Sequence, residues 1–117
     1  MLTKGYKKVK RYTIMIGMND SKTHEQEIET ERIIRLANNC CKNYGLNFSS
    51  IIQSGGCIQE DGRYVIENSL GLVFIDADEN TVNELAKDVC CFLNQESVLV
   101  TVDEVIRYFV SGRNDDN

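Results

Sequence analysis

The side chains best suited to chemistry in this sequence are five thiols: the neighbouring pairs Cys40-Cys41 and Cys90-Cys91, and the single Cys57. Neighbouring residues on a helix point about 100° apart, so one pair does not readily chelate one ion. The spacing C-x-x-C is absent, and it is the usual sign of a metal or redox site. We therefore predict core thiols, and neither a metal nor another cofactor, with metal or redox chemistry as the alternative. Cys57 has no second group nearby in sequence to activate it and is interpreted as a core or edge thiol.

The sequence contains one imidazole, His24, among several carboxylates. A general base and a surface side chain are the two interpretations, and we favour the surface side chain. G-x-G-x-x-G, a P-loop, a nucleophile elbow and H-E-x-x-H are all absent from the sequence. No catalytic residue is therefore predicted.

Two polar segments interrupt otherwise apolar stretches and are the best candidates for ligand binding. Glu67 and Asn68 lie within a predicted strand, and Gln95 and Glu96 lead into the next one. Neighbouring strand residues point to opposite faces, so one of the first two requires a polar partner, solvent or a ligand. We predict that Glu67, Asn68, Gln95 and Glu96 bind a ligand near one end of the sheet. Turn and cap chemistry is the alternative for Asn94 to Ser97.

The stretch from Glu67 to Val102 predicts a strand, a helix and a strand. Leu70 to Ile75 is a short apolar run of the kind found in central strands. Thr81 and Glu84 have the spacing of a capping box, which indicates the start of a helix. The chain returns to strand at Ser97–Val102.

The first part of the chain predicts a similar alternation of elements. The predicted features, in chain order, are a strand at Arg11–Met18, a helix after a capping box at Thr23–Gln26 that ends at Gly45, a strand at Asn47–Gln59 with a bulge or bend at Gly55-Gly56, a tight turn at Glu60-Asp61-Gly62, and a strand at Arg63–Asp76.

The resulting order, βαββαβ, predicts an α+β ferredoxin-like sandwich. We expect a four-stranded antiparallel sheet of order 4-1-3-2, with two helices on one face. A short C-terminal helix is predicted after Thr101-Val102, with Val105, Ile106 and Phe109 facing inward. The domain prediction is a flexible basic arm at 1–10, a single domain at 11–111 and a disordered tail at 112–117.

The 117 residues carry a net charge of −5, which disfavours direct binding to nucleic acid. No run approaches the ~20 apolar residues of a membrane span, and no apolar segment typical of a secretory signal follows the basic start. We expect a cytoplasmic protein with reduced thiols and no membrane partner.

The predicted third strand is apolar on both sides, although both helices are expected on one side only. Val73 and Ile75 alternate with Leu72 and Phe74, and Met15 has the corresponding position in the first strand. An apolar sheet face must be covered. We predict a homodimer through Met15, Val73 and Ile75, with the terminal segment Val105–Val110 folding back as the alternative.

Three segments carry a resemblance to known proteins: ENSLGLVFIDAD, LNQESVLVT and, near the start, YTIMIGMND. They resemble small uncharacterised ferredoxin-like proteins of phages and mobile elements from low-GC Gram-positive bacteria. Several anti-CRISPR proteins share this size, acidity and architecture. By that analogy, the resemblance implies a small acidic non-enzymatic interaction protein that binds a bacterial host protein such as a CRISPR effector. The alternative is a dimeric ferredoxin-like barrel protein that binds a small molecule or catalyses a simple reaction.

Overall fold

The computed structural model describes residues 2–58 and 60–112, and at residues 2, 3 and 57 the backbone alone. The elements, in chain order, are β1 (Leu2–Gly17), α1 (Thr30–Asn43), β2 (Ser49–Ile58), β3 (Tyr64–Ile75), α2 (Glu79–Phe92) and β4 (Leu99–Ser111).

The four strands form one antiparallel sheet of order β2-β3-β1-β4. This is the predicted order 4-1-3-2, and it confirms the ferredoxin-like α+β fold. Ile14 of β1 lies opposite Leu72 of β3 on one side and opposite Val100 of β4 on the other. The longest strand is therefore central to the sheet, and its register sets the positions of both neighbours.

The core lies between the sheet and the two helices. Alternate residues of the central strands point towards the helices, and the buried side chains of the sheet are Tyr12, Ile14, Ile16, Met18, Leu70, Leu72 and Phe74. The helices contribute the side chains Ile33, Ala37, Cys40, Cys41, Val82, Leu85, Ala86 and Val89. This arrangement follows directly from period-2 alternation in the strands and helical spacing in α1 and α2.

The start of α2 lies close to the predicted position, but its cap is Asp78 and not Thr81. The predicted start of α1 is wrong. Asp78 caps α2 by accepting a hydrogen bond from the backbone N–H of Thr81 at 3.0 Å. The predicted cap at Thr23–Gln26 lies in a loop instead, because the Asp20 carboxylate accepts from the backbone N–H groups of Lys22 and Thr23. An aspartate that bonds the backbone two and three residues ahead favours a turn over a helix.

The predicted C-terminal helix is also wrong, and so is the flexible arm predicted at residues 1–10, of which residues 2–10 are described and belong to β1. Both segments are strands, because each supplies the hydrogen-bonding partner that the other needs: Lys4 lies opposite Phe109 and Val9 opposite Val105. The segment Val105–Val110 is rich in β-branched and aromatic residues, which suit a strand. Because this segment belongs to β4, it does not fold back over the open face of the sheet.

Two pairs of strands extend beyond the four-stranded part of the sheet. Residues 2–11 with 103–111, here the β1/β4 ribbon, extend at one end, and residues 54–58 with 64–68, the β2/β3 ribbon, extend at the other. The molecule is accordingly elongated, with extents of 62 × 30 × 25 Å.

The irregularity in the sheet lies elsewhere than predicted. Gly55 and Gly56 pair with Glu67 and Ile66 in unbroken register, so the bulge predicted there is wrong. The register shifts instead between Lys4 and Lys7 of β1. Gly5 allows this with a φ of 72°, a conformation that side-chain-bearing residues rarely adopt. The tail predicted at 112–117 lies, beyond Gly112, outside the described residues.

The face of the sheet opposite the helices carries the three predicted interface residues. Met15 and Val73 are partly buried within the chain, and Ile75 is 50% exposed. Arg11 and Asp103 form a 2.7 Å ion pair on the same face, so this open face is mixed in character.

None of the helices in residues 2–58 and 60–112 is long and apolar enough to span a lipid bilayer.

A short hydrogen bond joins the two helices at their exposed edge. The Tyr44 hydroxyl donates to the Asp88 carboxylate at 2.5 Å, beside a cavity of about 390 Å³ that Leu36, Cys40 and Phe92 also line. This hydrogen bond, with smaller effects of burial and of the carboxylate charge, raises the pKa of Tyr44 to about 12. The neutral phenol is therefore favoured in the folded state.

Tyr44→Phe is expected to make stability less sensitive to alkaline pH. Between the ordinary tyrosine pKa of 10.0 and the folded value of about 12, the unfolded chain loses a proton that the folded chain keeps. The wild-type free energy of unfolding should therefore fall as pH rises through that window. Urea unfolding of both proteins from pH 8 upwards measures this, and an identical pH slope in the variant would contradict it.

Candidate functional site

A cavity of about 600 Å³ lies at the end of the sheet where β1 ends and the β2/β3 ribbon begins. We call it the Glu67 cavity. It is lined by Asn19, Asp20, Ser21, His24, Arg63, Val65, Glu67, Gln95, Glu96 and Ser97. These residues come from the β1–α1 loop, from the β2–β3 turn and β3, and from the α2–β4 loop, which the antiparallel topology brings to one edge.

The Glu67 side chain lies against the backbone just beyond the end of β1. Its carboxylate accepts a hydrogen bond from the backbone N–H of Asn19 at 3.0 Å. Gly17 makes room for it, because a Cβ atom at position 17 would overlap the Glu67 carboxylate. The missing side chain at the end of β1 thus allows a carboxylate from β3 to lie against the β1 backbone.

Gln95 joins the two loops that border the cavity. Its side-chain amide donates to the backbone carbonyl of Asn19. Asn94, which precedes Gln95, follows the end of α2 and has a φ of 48°. Its side-chain amide donates to the Asp20 carboxylate at 3.0 Å. The backbone N–H of Ser21 in turn donates to the Asn94 carbonyl at 3.1 Å. The floor of the cavity is therefore a hydrogen-bonded contact between loops distant in sequence.

The cavity carries more negative than positive charge. Asp20, Glu67 and Glu96 contribute carboxylates. Hydrogen bonds from the Asn94 side chain and from the backbone of Lys22 hold the pKa of Asp20 below its usual value, so it stays ionised. The guanidinium of Arg63 is engaged by Asp61 at 2.7 Å. Such a cavity attracts a cationic group more than an anionic one.

Three of the four predicted ligand-binding residues, Glu67, Gln95 and Glu96, line this cavity, and Asn68 does not. Asn68 points to the other face of β3, as strand alternation requires. There its side chain accepts from the Ser54 hydroxyl at 3.1 Å and donates to Gln26 at 3.4 Å. These bonds satisfy Asn68 without a ligand.

The sequence reasoning missed Asn19, Asp20 and Arg63 as lining residues. Asn19 and Asp20 follow the first strand directly, and Arg63 precedes the third. Polar residues at the end of one strand and the start of its antiparallel neighbour meet at one edge. That signal was available once the strand order had been predicted.

The thiols and the imidazole have separate environments. Burial raises the pKa of Cys41 to about 12 and raises that of Cys40 in the same direction, which disfavours a reactive thiolate. Cys90 is partly buried and its thiol donates to the Gln95 carbonyl, whereas Cys91 is exposed and departs from the predicted core position. The Cys57 side chain lies outside the described part of the chain.

His24 is exposed at the rim of the Glu67 cavity.

Within residues 2–58 and 60–112, no group of three His, Cys, Asp or Glu side chains is arranged to hold a metal ion.

Comparisons with known proteins reveal structural likeness only. No protein-family profile matches the sequence, and no curated protein matches it. The structure is similar to a phage SAM lyase in complex with S-methyl-5'-thioadenosine, with 20% identity and a TM-score of 0.63 over 92% of this chain and 93% of that one. The apo state of a phage SAM lyase gives 21% identity and a TM-score of 0.64 over 92% and 94% of the two chains.

A third similar structure is CPII, a nitrogen regulatory PII-like protein from Thiomonas intermedia K12, bound to ADP, AMP and bicarbonate. It is 13% identical, with a TM-score of 0.51 over 89% of this chain and 99% of that one. The fold is thus shared along nearly the whole length of all three structures.

These findings overturn the prediction of a non-enzymatic interaction protein that inhibits a host protein such as a CRISPR effector. Two of the similar structures are of an enzyme, which favours the alternative prediction of a ferredoxin-like protein that binds a small molecule or catalyses a simple reaction. The phage part of the resemblance agrees with them, because two of the similar structures are of a phage protein.

Gly17→Ala is expected to displace the Glu67 carboxylate while keeping the fold. Gly17 does not have a positive φ, so alanine fits the backbone, and stability should stay within about 1 kcal/mol of wild type. The Asn19 amide should lose its acceptor, which NMR detects as an upfield shift and faster hydrogen exchange. Gly71→Ala is the matched control, because a Cβ there meets Met15 and not Glu67. An unchanged Asn19 amide in Gly17→Ala would contradict this account of the glycine.

Proposed function

We propose that this protein is an enzyme that binds S-adenosylmethionine in the Glu67 cavity and cleaves it to S-methyl-5'-thioadenosine. The observation that carries the proposal is the carboxylate of Glu67, fixed by the Asn19 backbone in a cavity rich in negative charge. The likeness to a phage SAM lyase along more than nine-tenths of both chains supports it.

The charge of the ligand fits that of the cavity. S-adenosylmethionine carries a sulfonium and an ammonium against one carboxylate, so its net charge is positive. Asp20, Glu67 and Glu96 supply the opposite charge. A volume of about 600 Å³ also lies in the range of cavities that hold small molecules.

The reaction separates the substrate at one bond. S-methyl-5'-thioadenosine is S-adenosylmethionine without its amino-acid arm, so the bond between the sulfonium sulfur and that arm breaks. The bonding pair stays on sulfur, which becomes a neutral thioether. An oxygen of the substrate's own carboxylate forms a bond to the carbon that sulfur leaves, so the arm departs as a lactone and no further reactant is needed. Positive charge therefore moves from sulfur towards the carbon of the arm as the bond lengthens. We assign Glu67 to stabilising this displaced charge, since only interactions that strengthen in the transition state accelerate a reaction.

An adenine-nucleotide binding protein is the second candidate. The PII-like structure with ADP and AMP bound favours it, and both ligand classes share the adenosine group. The three carboxylates of the cavity argue against it, because they would repel the phosphates.

Glu67→Gln is expected to reduce the formation of S-methyl-5'-thioadenosine by about 100-fold or more, the usual effect of removing one group that stabilises charge in a transition state. Liquid chromatography of reactions with S-adenosylmethionine measures the product. Glu31→Gln is the matched control: it removes the same charge at an exposed position in the first turn of α1 and should retain wild-type turnover.

Isothermal titration of the wild type with S-adenosylmethionine, ADP and AMP separates the two candidates. Binding of S-adenosylmethionine, with product formed, supports the proposal. Binding of ADP or AMP without binding of S-adenosylmethionine would overturn it in favour of the nucleotide-binding protein. Binding of none of the three would reject both.

A further inference from the structure

The two ribbons are the least supported parts of the described fold. Each ribbon consists of two paired strands with no third strand beside most of its length. The helices pack on the part of the sheet that lies between the two ribbons. An isolated two-stranded ribbon is at best marginally stable in water. The ribbons lie at opposite ends of a structure that extends 62 Å in one direction and 30 Å in the next, so contacts with another molecule at these ends would stabilise them.

Both ribbons expose large apolar side chains. On the β2/β3 ribbon these are Ile58, Tyr64 and Ile66, the last 72% exposed. On the β1/β4 ribbon, Tyr6 and Tyr108 stack with their ring centroids 4.6 Å apart, and Ile106 is 67% exposed. Clusters of exposed apolar groups of this kind mark interaction surfaces.

The two ribbons have opposite charge. The β1/β4 ribbon contains six basic and two acidic residues: Lys4, Lys7, Lys8, Lys10, Arg11, Arg107, Asp103 and Glu104. Asp76 lies next to this ribbon and pairs with Lys7 at 3.3 Å. When its charge is included, the β1/β4 ribbon still has more positive than negative charges. The β2/β3 ribbon and its turn contain three acidic residues and one basic: Glu60, Asp61, Glu67 and Arg63. Contact between unlike ribbons is therefore attractive, and contact between like ribbons is repulsive.

We propose that copies of this chain assemble head to tail, with the β1/β4 ribbon of one copy docked on the β2/β3 ribbon of the next. Unlike surfaces in contact form a heterologous interface, which closes into a ring when the rotation between copies permits. Val65 and Glu67 of the β2/β3 ribbon, and Arg63 of its turn, line the Glu67 cavity, so the docked ribbon borders that cavity. The proposal depends on the ribbons alone and stands or falls independently of the proposed reaction.

Two matched substitutions test it. Ile106→Glu alters the β1/β4 ribbon and Ile66→Glu alters the β2/β3 ribbon, and both replace an exposed isoleucine with the same charged residue. Wild type should contain more than one copy by sedimentation velocity at tens of micromolar, and each variant alone should be a single copy. An equimolar mixture should form two-copy particles and nothing larger. The unaltered β2/β3 ribbon of the Ile106→Glu chain can still dock on the unaltered β1/β4 ribbon of the Ile66→Glu chain, and the two altered ribbons cannot pair.

Ile75→Glu is the control, since Ile75 lies on the open face where the sequence predicted a dimer. It should assemble as wild type does. Circular dichroism verifies that each variant is folded, and Tyr108→Glu with Tyr64→Glu repeats the test at second positions.

Three outcomes would overturn the proposal. A wild type that remains a single copy excludes the assembly. Ribbon variants that assemble normally, with Ile75→Glu a single copy, would assign the interface to the open face. Ribbon variants that fail to associate when mixed would exclude a contact between unlike ribbons.

Discussion

The register of β1 against β3 is the constraint on which the other features depend. It places Ile14 opposite Leu72, so the buried faces of the two strands lie on the same side of the sheet. The same register places Gly17 opposite Ser69, which brings the end of β1 beside Glu67. A slip of one residue would turn every buried side chain of a strand to the other face. It would also carry Glu67 away from Asn19, so the core and the Glu67 cavity are fixed by one pairing.

The cavity itself is held by polar contacts. Asp20 with Asn94, and Asn19 with Gln95, join two loops whose residues lie more than seventy positions apart in sequence. Both loops start at the ends of core elements, β1 and α2. The first apolar residue of each loop, Met18 and Leu93, is buried in the core beside these polar contacts. Charge and packing are thus separated in space, which lets carboxylates collect at the edge of the sheet without entering the core.

What the sequence predicts correctly here is local. The alternation around Ile14 and Leu72 identifies the central strands, and Gly45 and Gly62 mark where α1 ends and where the turn lies, both with positive φ. The errors at the two ends of the sequence arise because the partner of each segment is distant, whereas the wrong start of α1 has the local cause of a turn at Asp20. Lys4 and Phe109 pair across more than a hundred residues, and without that partner one segment resembles a loose arm and the other a helix. The same holds for Glu67 and Asn68: alternation separates them, but only the loops around β1 decide which one faces a cavity. Net acidity misdirected the functional prediction because it says nothing of where carboxylates converge.

The central position of β1 has a consequence for synthesis. Of the four strands, β1 is made before the others and β4, one of its two neighbours, is made after them. The guanidinium of Arg107 in β4 donates a hydrogen bond to the Gly5 carbonyl of β1. Contacts of such sequence separation close slowly because the intervening chain must be ordered first. On the ribosome, the first half of β1 therefore waits with an unpaired edge until Ser111 has left the exit tunnel. During that interval its lysines at positions 4, 7, 8 and 10 act as gatekeepers, since charged side chains on an exposed edge oppose pairing with other nascent chains.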